Sequence, residues 1–281
     1  MKRLLSTLMV AVTLSSGALP ATAATDPEAD LQAFRNHYQQ RFPGVALADY
    51  QDGIYAINAD ARSGWQQMMA FPPYEDALKR GEALFNTPFT NGRRYADCFE
   101  NGGIAIRQNY PYWDRETQQV KTLEQEINEC RIVNEEPVLP YKHGDIAAIS
   151  AYMASTSNGL PINIIIPADQ PAALAAYERG RDYFFAKRGQ LNFSCANCHI
   201  DSPGLMLRAE MLGPALGHPT HFPAYRLKWG ELGTLHRRYS GCTQQVRARA
   251  AEPQSDTYRE LEYFHTYMSN GIPINAPGLR K

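Results

Sequence analysis

Cys195-Ala196-Asn197-Cys198-His199 reads C-x-x-C-H, the spacing of a covalent c-type haem attachment site. Two thiols three positions apart reach the two vinyl groups along one porphyrin edge, and the adjacent imidazole offers a ring nitrogen to iron as the proximal ligand. A thioredoxin-like pair would need a βαβ setting, and a zinc site would need a second ligand pair; neither pattern accompanies these residues. The stretch therefore predicts a haem-binding domain made of helices.

The flanks of this motif occur twice in the chain, in the same order. Arg80-Gly81 matches Arg179-Gly180, each in a helical-looking stretch, and Tyr95-Ala96-Asp97-Cys98-Phe99 aligns with the C-x-x-C-H run. Leu123 to Cys130 aligns with Leu235 to Cys242. Tyr152-Met153, Asn158-Gly159 and Pro161-Ile162-Asn163 then align with Tyr267-Met268, Asn270-Gly271 and Pro273-Ile274-Asn275. This order predicts a mostly α fold of two cytochrome c-like domains related by internal duplication. The expected divisions are a haem-less domain over 71–166 and a haem-binding domain over 167–281, preceded by an N-terminal extension over 25–70 with a helix around Leu31 to Gln40. Ile164 to Pro171, which holds Pro167, is the linker candidate.

The two copies differ in chemistry. Tyr95 stands in place of the first thiol and Phe99 in place of the proximal histidine, so one covalently bound c-type haem is expected, in the second copy alone. Cys98 and Cys130, left without a haem between them, are predicted to form a disulfide, two buried free thiols being the alternative. The interval from Cys198 to Cys242 is 44 positions against 32 from Cys98 to Cys130. The second copy thus has about 12 extra residues, placed within Asp201 to Leu232, and added loop beside the retained metal points to a pocket or partner surface.

Cys242 is then the odd thiol. Met206, Met211, Met268, His218, His221, His236 and His265 are all candidates for the second axial position opposite His199. Cys242 has the better case, because its counterpart in the first copy faces the counterpart of a haem cysteine. Gly241 before it predicts a tight bend projecting the thiol from a loop.

Residues 1–24 combine Lys2 and Arg3, an apolar run with several Ser and Thr, and Ala21-Thr22-Ala23, the layout of a cleaved secretory signal. Export to the periplasm, where disulfides persist, is the expectation. No other segment is apolar enough to span a bilayer. The chain carries 28 Lys and Arg against 29 Asp and Glu, which argues against a nucleic-acid partner. Against that background Arg237, Arg238, Arg247, Arg249 and Lys228 form a local basic cluster around Cys242. Such a cluster would depress the thiol pKa and offer guanidinium donors to a small oxyanion.

Two runs together carry a family resemblance: the haem motif Cys195 to His199, and Arg237-Arg238-Tyr239-Ser240-Gly241-Cys242-Thr243-Gln244-Gln245-Val246-Arg247-Ala248. The chain resembles the SoxA family, the c-type cytochrome subunits of the SoxAX complex of bacterial thiosulfate oxidation. The likeness extends over essentially all of the chain after residue 24. Many members carry two haems; the departures at Tyr95 and Phe99 place this chain with the single-haem type, with a disulfide where the first haem would sit.

The resemblance implies an L-cysteine S-thiosulfotransferase. Thiosulfate is joined oxidatively to a cysteine of the SoxYZ carrier protein, and two electrons pass to a c-type cytochrome acceptor. It further implies a SoxX cytochrome subunit as partner. Cys242 would be both the haem ligand and the catalytic residue, found in the family as a persulfide. Arg238 matches the family's active-site arginine, and Arg247 is a second candidate substrate contact. The competing expectation is a pure electron-transfer cytochrome in which Cys242 only tunes the potential.

Overall fold

The computed structural model describes residues 25–281; the signal expected over 1–24 lies outside the described residues. Helix α1 (Pro27–Arg41) begins where the Asp26 carboxylate accepts from the backbone N–H groups of Glu28 and Ala29 and Pro27 opens the first turn. It covers the helix expected at Leu31 to Gln40 and extends it at both ends. A 3-10 turn over Leu47–Asp52 leads to α2 (Ile54–Ile57) and α3 (Ala59–Met69).

Helix α4 (Glu75–Asn86) is followed by the antiparallel hairpin of β1 (Tyr112–Asp114) and β2 (Gln119–Lys121), then α5 (Leu123–Val133) and α6 (Asp145–Ser155). The chain continues through α7 (Pro171–Phe185), α8 (Cys195–His199), a hairpin of β3 (Met206–Leu207) and β4 (Glu210–Met211), and strands β5 (Ala224–Arg226) and β6 (Glu231–Gly233). Helices α9 (Leu235–Gln245) and α10 (Asp256–Tyr267) and strand β7 (Gly278–Arg280) complete it. Strand β5 lies between β6, antiparallel, and β7, parallel. Among the described residues no helix is long and apolar enough to cross a membrane.

The repeated Arg-Gly pairs sit where helices meet. A Cβ placed on Gly81 would lie 2.0 Å from the Ala148 carbonyl oxygen, and one on Gly180 would lie 2.0 Å from that of Glu260. Glycine alone allows α4 to cross α6, and α7 to cross α10, with their backbones in contact. Helices α5 and α9 likewise both start on a threonine cap: Thr122 Oγ1 accepts from Gln125 N and Thr234 Oγ1 from Arg237 N.

Two apolar clusters form the core. One gathers Phe85, Tyr95, Phe99, Ile127, Ile146 and Met153 around the Cys98–Cys130 disulfide. The other gathers Tyr177, Phe184, Ala196, Leu261, Phe264 and Met268, and takes Leu31, Phe34 and Tyr38 from α1. Each cluster also borrows from across the molecule. Trp113 and Val120 of the β1–β2 hairpin pack into the second cluster, while Leu232 of β6 and Leu279 of β7 pack into the first.

The tails following α6 and α10 bind one another in matching register. Asn158 donates to the Ala276 carbonyl at 2.8 Å and accepts from Ala276 N at 2.8 Å. Asn270 does the same to residue 164, donating to the Ile164 carbonyl at 2.9 Å and accepting from Ile164 N at 2.7 Å. Beneath this seam lies a buried polar group: Glu262 takes Arg107 at 3.7 Å and His236 at 3.1 Å, and Ser150 donates to Glu124 at 2.7 Å. Burial and the neighbouring Glu262 carboxylate raise the pKa of Glu124, against the opposing pull of Arg107.

Candidate active site

The C-x-x-C-H run forms the short helix α8 because Ser194 and Asn197 cap it reciprocally. Ser194 Oγ accepts from Asn197 N at 3.2 Å and Asn197 Oδ1 accepts from Ser194 N at 3.1 Å. The far end of α8 is held by α1. Tyr38 Oη donates to the His199 carbonyl at 2.6 Å, and Arg41 Nη1 donates to the carbonyls of Ile200 and Asp201, both at 2.8 Å. Helix carbonyls that have no intrahelical partner are thus satisfied by the N-terminal segment. Nothing in the sequence marked Tyr38 or Arg41 for this task, since Tyr38 reads as one more residue of the buried face it shares with Leu31 and Phe34, and Arg41 as an ordinary surface cation.

The donor set suits a covalently held haem. Cys195, Cys198 and Cys242 are the free cysteines of the described chain. The His199 Nδ1–H donates to the Gly213 carbonyl at 2.8 Å, which fixes the tautomer and leaves Nε2 for a metal, the orientation common to metal-ligating histidines. The same imidazole lies close enough to the Cys242 thiol to lower its pKa, so the odd cysteine and the motif histidine are neighbours in the site.

Cys242 projects from α9, with Gly241 inside the helix rather than at a bend. The expectation of a loop failed because the Thr234 cap and the helix contacts outweigh the roughly 1 kcal/mol that glycine costs in a helix interior. The end of α9 is anchored on the loop before the motif. Gly189, at φ +70°, lies so close that a Cβ there would meet the Val246 carbonyl oxygen at 2.1 Å, and Leu191 N donates to that carbonyl at 3.3 Å.

Burial raises the Cys242 thiol, but the guanidinium of Arg238, the neighbouring His199 and the charge of Arg226 outweigh it and bring the pKa down from 9.0 to about 7. Burial acts on Cys195 with less opposition and pushes it up to about 11, although Arg188 Nη1 donates to its sulfur at 3.7 Å. Cys198 is also raised, by burial first and then by Cys242, with Arg238 opposing. The three thiols are therefore unequal, and the one outside the motif is the most acidic.

Of the basic cluster seen in the sequence, Arg238 lies beside Cys242. Arg247 is exposed on the turn after α9, where its Nη1 donates to Gln190 Oε1 at 3.5 Å. Arg237 pairs with Glu231 at 2.9 Å and lies over the Trp229 ring, 4.3 Å from its centroid. Arg226, buried in β5, was absent from the sequence-based cluster, and strand pairing carries it in from 16 positions away. The extra stretch between Asp201 and Leu232 supplies the β3–β4 hairpin, whose Glu210 reaches Arg226 at 2.7 Å, Lys228 at 3.6 Å and Arg238 at 3.8 Å.

Two of the other axial candidates have polar partners of their own. His236 is bound to Glu262, and His265 donates from Nε2 to the Ala215 carbonyl at 3.1 Å while Nδ1 accepts from Tyr239 Oη at 3.0 Å. Burial, with His199 nearby, lowers the pKa of His265 to about 4. His218 packs edge-on against the His199 ring at 4.5 Å between centroids, and His221 is buried beneath Gly278. Met268 is a core residue and Met206 is exposed on β3.

Beside the Cys98–Cys130 disulfide, Tyr95 stacks on Phe85 at 5.9 Å between ring centroids and accepts from Arg131 Nη1 at 2.9 Å; Phe99 is buried beside it. Residues 80–162, around that position, match the family described as SoxA/TsdA, cytochrome c domain. The L-cysteine S-thiosulfotransferase subunit SoxA of Allochromatium vinosum is 53% identical over 279 residues, spanning 99% of this chain and 98% of that protein. The corresponding subunit of Chlorobaculum tepidum is 49% identical, spanning 98% and 95%. The crystal structure of SoxXA from P. pantotrophus superposes with a TM-score of 0.71 at 25% identity, covering 78% of this chain and 84% of that one.

Proposed function

Because this chain belongs to the SoxA family of L-cysteine S-thiosulfotransferase subunits, we propose that it conjugates thiosulfate to a cysteine of a SoxYZ-type carrier, with Cys242 as the reacting sulfur. The observation that carries this reading is the Cys242 thiol neighbouring His199 while lying in the field of Arg238 and Arg226. The overall conversion balances as thiosulfate plus a carrier thiol giving a cysteine S-thiosulfonate, two electrons and one proton. Covalent c-type haem on Cys195 and Cys198, with His199 and Cys242 as axial residues, would supply the electron relay.

The residues divide the remaining tasks. Arg238 binds the sulfonate end of the dianion through charge-assisted hydrogen bonds. Arg247, at the exposed end of α9, adds positive field at the rim. The lowered thiol pKa, about 7, leaves about half of Cys242 as the thiolate at neutral pH, the form that engages sulfur chemistry and metal alike. His199, fixed by Gly213 and Tyr38, presents one defined nitrogen.

The proposal extends to the organisation of the chain: an extension over 25–70, a haem-less cytochrome c-like copy over 71–166 and a haem-bearing copy over 167–281. The matched Gly81 and Gly180 crossings and the reciprocal Asn158 and Asn270 clasps support an origin by duplication. Tyr95 and Phe99, packed as core aromatics beside the disulfide, support a single haem. The partners follow from the family: a SoxX cytochrome subunit, the SoxYZ carrier and a c-type cytochrome acceptor, all in the periplasm after cleavage near residue 24.

Replacing Cys242 with alanine tests the reading. Thiosulfate-dependent reduction of the acceptor, assayed with carrier and partner subunit present, is expected to vanish while covalent haem stays attached. Undiminished turnover by that variant would leave the chain a simple electron carrier.

A further inference from the structure

Glu210 stands in an unusual electrostatic position. Its Oε2 lies 2.7 Å from Arg226 Nη2 and 3.8 Å from Arg238 Nη2, and its Oε1 lies 3.6 Å from Lys228 Nζ. Three cations thus converge on one carboxylate, leaving an excess of positive charge next to Cys242. Clustered like charges repel; the Cys242 sulfur offsets part of this excess when ionised, and the remainder favours a further anion.

The cations and the carboxylate differ in how firmly they are held. The Arg226 side chain is 6% exposed. Its Nε donates to the Lys281 carbonyl at 2.8 Å, and its guanidinium lies over Trp229, 5.3 Å from the ring centroid. It is fixed in place by contacts that do not involve Glu210. Glu210 is on a hairpin of two-residue strands, more exposed than Arg226, and its contact with Arg238 is the longest of the three. One carboxylate oxygen, Oε2, lies between the two guanidinium groups while Oε1 faces Lys228, and the oxygens of a sulfonate would call on the same donors.

We propose that Glu210 is a positioning residue that holds the place of the thiosulfate dianion: it keeps Arg226 and Arg238 apart at an oxyanion's spacing, and the arriving substrate displaces it from Arg238 and gains Arg226 as a second guanidinium contact. This rests on the reading of Arg238 and Cys242 given above and deepens it. Glu210 then acts as a selectivity device. A dianion recovers the attraction that the carboxylate gives up, whereas a monoanion recovers only part of it.

The test uses the holo-complex with its cytochrome partner, carrier and acceptor, and sulfate as an unreactive dianion. In Glu210→Gln the KM for thiosulfate is expected to fall about fivefold, the inhibition constant of sulfate to fall by a similar factor, and kcat to stay within about twofold. Glu210→Asp, which keeps the charge, should restore wild-type constants, and Arg226→Gln should raise KM about tenfold with covalent haem retained. Unchanged or weakened thiosulfate and sulfate affinity in Glu210→Gln overturns the proposal. If that variant does not fold, Glu210→Ala is judged by the same two constants. Absence of thiosulfate-dependent turnover in the wild-type complex would instead sink the assigned activity, so the two failures are distinguishable.

Discussion

At Cys242, burial favours the neutral thiol while Arg238, the neighbouring His199 and Arg226 favour the thiolate, and these outweigh burial. The sign of the pH dependence follows. If the thiolate is the working form, it is present above about pH 7 and lost by protonation below it. In the haem-free chain, alkylation of Cys242 should show an acidic limb with a midpoint near 7, its rate falling about tenfold per unit beneath it. Arg238→Gln should move that limb towards alkaline pH, measured as the alkylation rate across pH 5 to about 9. Cys242 was legible in the sequence through parity, as the thiol left over once a haem pair and a disulfide are assigned. Arg238 was legible because it lies four positions away in a locally basic run; that the interval is one helical turn emerged only with α9. Arg226 and Glu210 were not: they arrive through a strand and a hairpin, and no local spacing signals side chains brought together by sheet pairing.

Among the helices, two crossings matter most, and both depend on the absence of a side chain. A methyl group at position 180 would sit 2.0 Å from the Glu260 carbonyl oxygen, so α7 and α10 would have to separate. Gly180→Ala is expected to lower stability by about 3 kcal/mol, seen as a lower urea midpoint with loss monitored by far-UV circular dichroism. Gly81→Ala should act in the same direction through α4 and α6. The repeated Arg-Gly pairs pointed to these positions, and the helices α4 and α7 lie where the sequence placed them. The loop expected at Gly241 did not appear, because one glycine is a weak local signal set against a capped helix packed at both ends. The short strands were also missed, since runs of two or three residues carry too little alternation to register as a period.

On the scale of the molecule, the Cys98–Cys130 disulfide and the strands that cross between the two apolar clusters tie the core together. Closing a 32-residue loop should contribute about 3–4 kcal/mol in the chain-entropy model. Replacing both Cys98 and Cys130 with serine is expected to lower the thermal midpoint, while the haem absorbance of the folded protein stays as in wild type. Sequence repetition pointed to matching features, the Gly81 and Gly180 helix crossings. It could not show that Trp113 and Val120 leave one cluster for the other, or that Leu232 and Leu279 make the reverse journey, because contacts between copies leave no trace in the alignment of one copy with the other. The mutual Asn158 and Asn270 clasps have one more consequence. A protease that nicks the exposed peptide at Ala168-Asp169 should produce two fragments on a denaturing gel and a single undiminished species in solution, because the connector is not what keeps the pieces together.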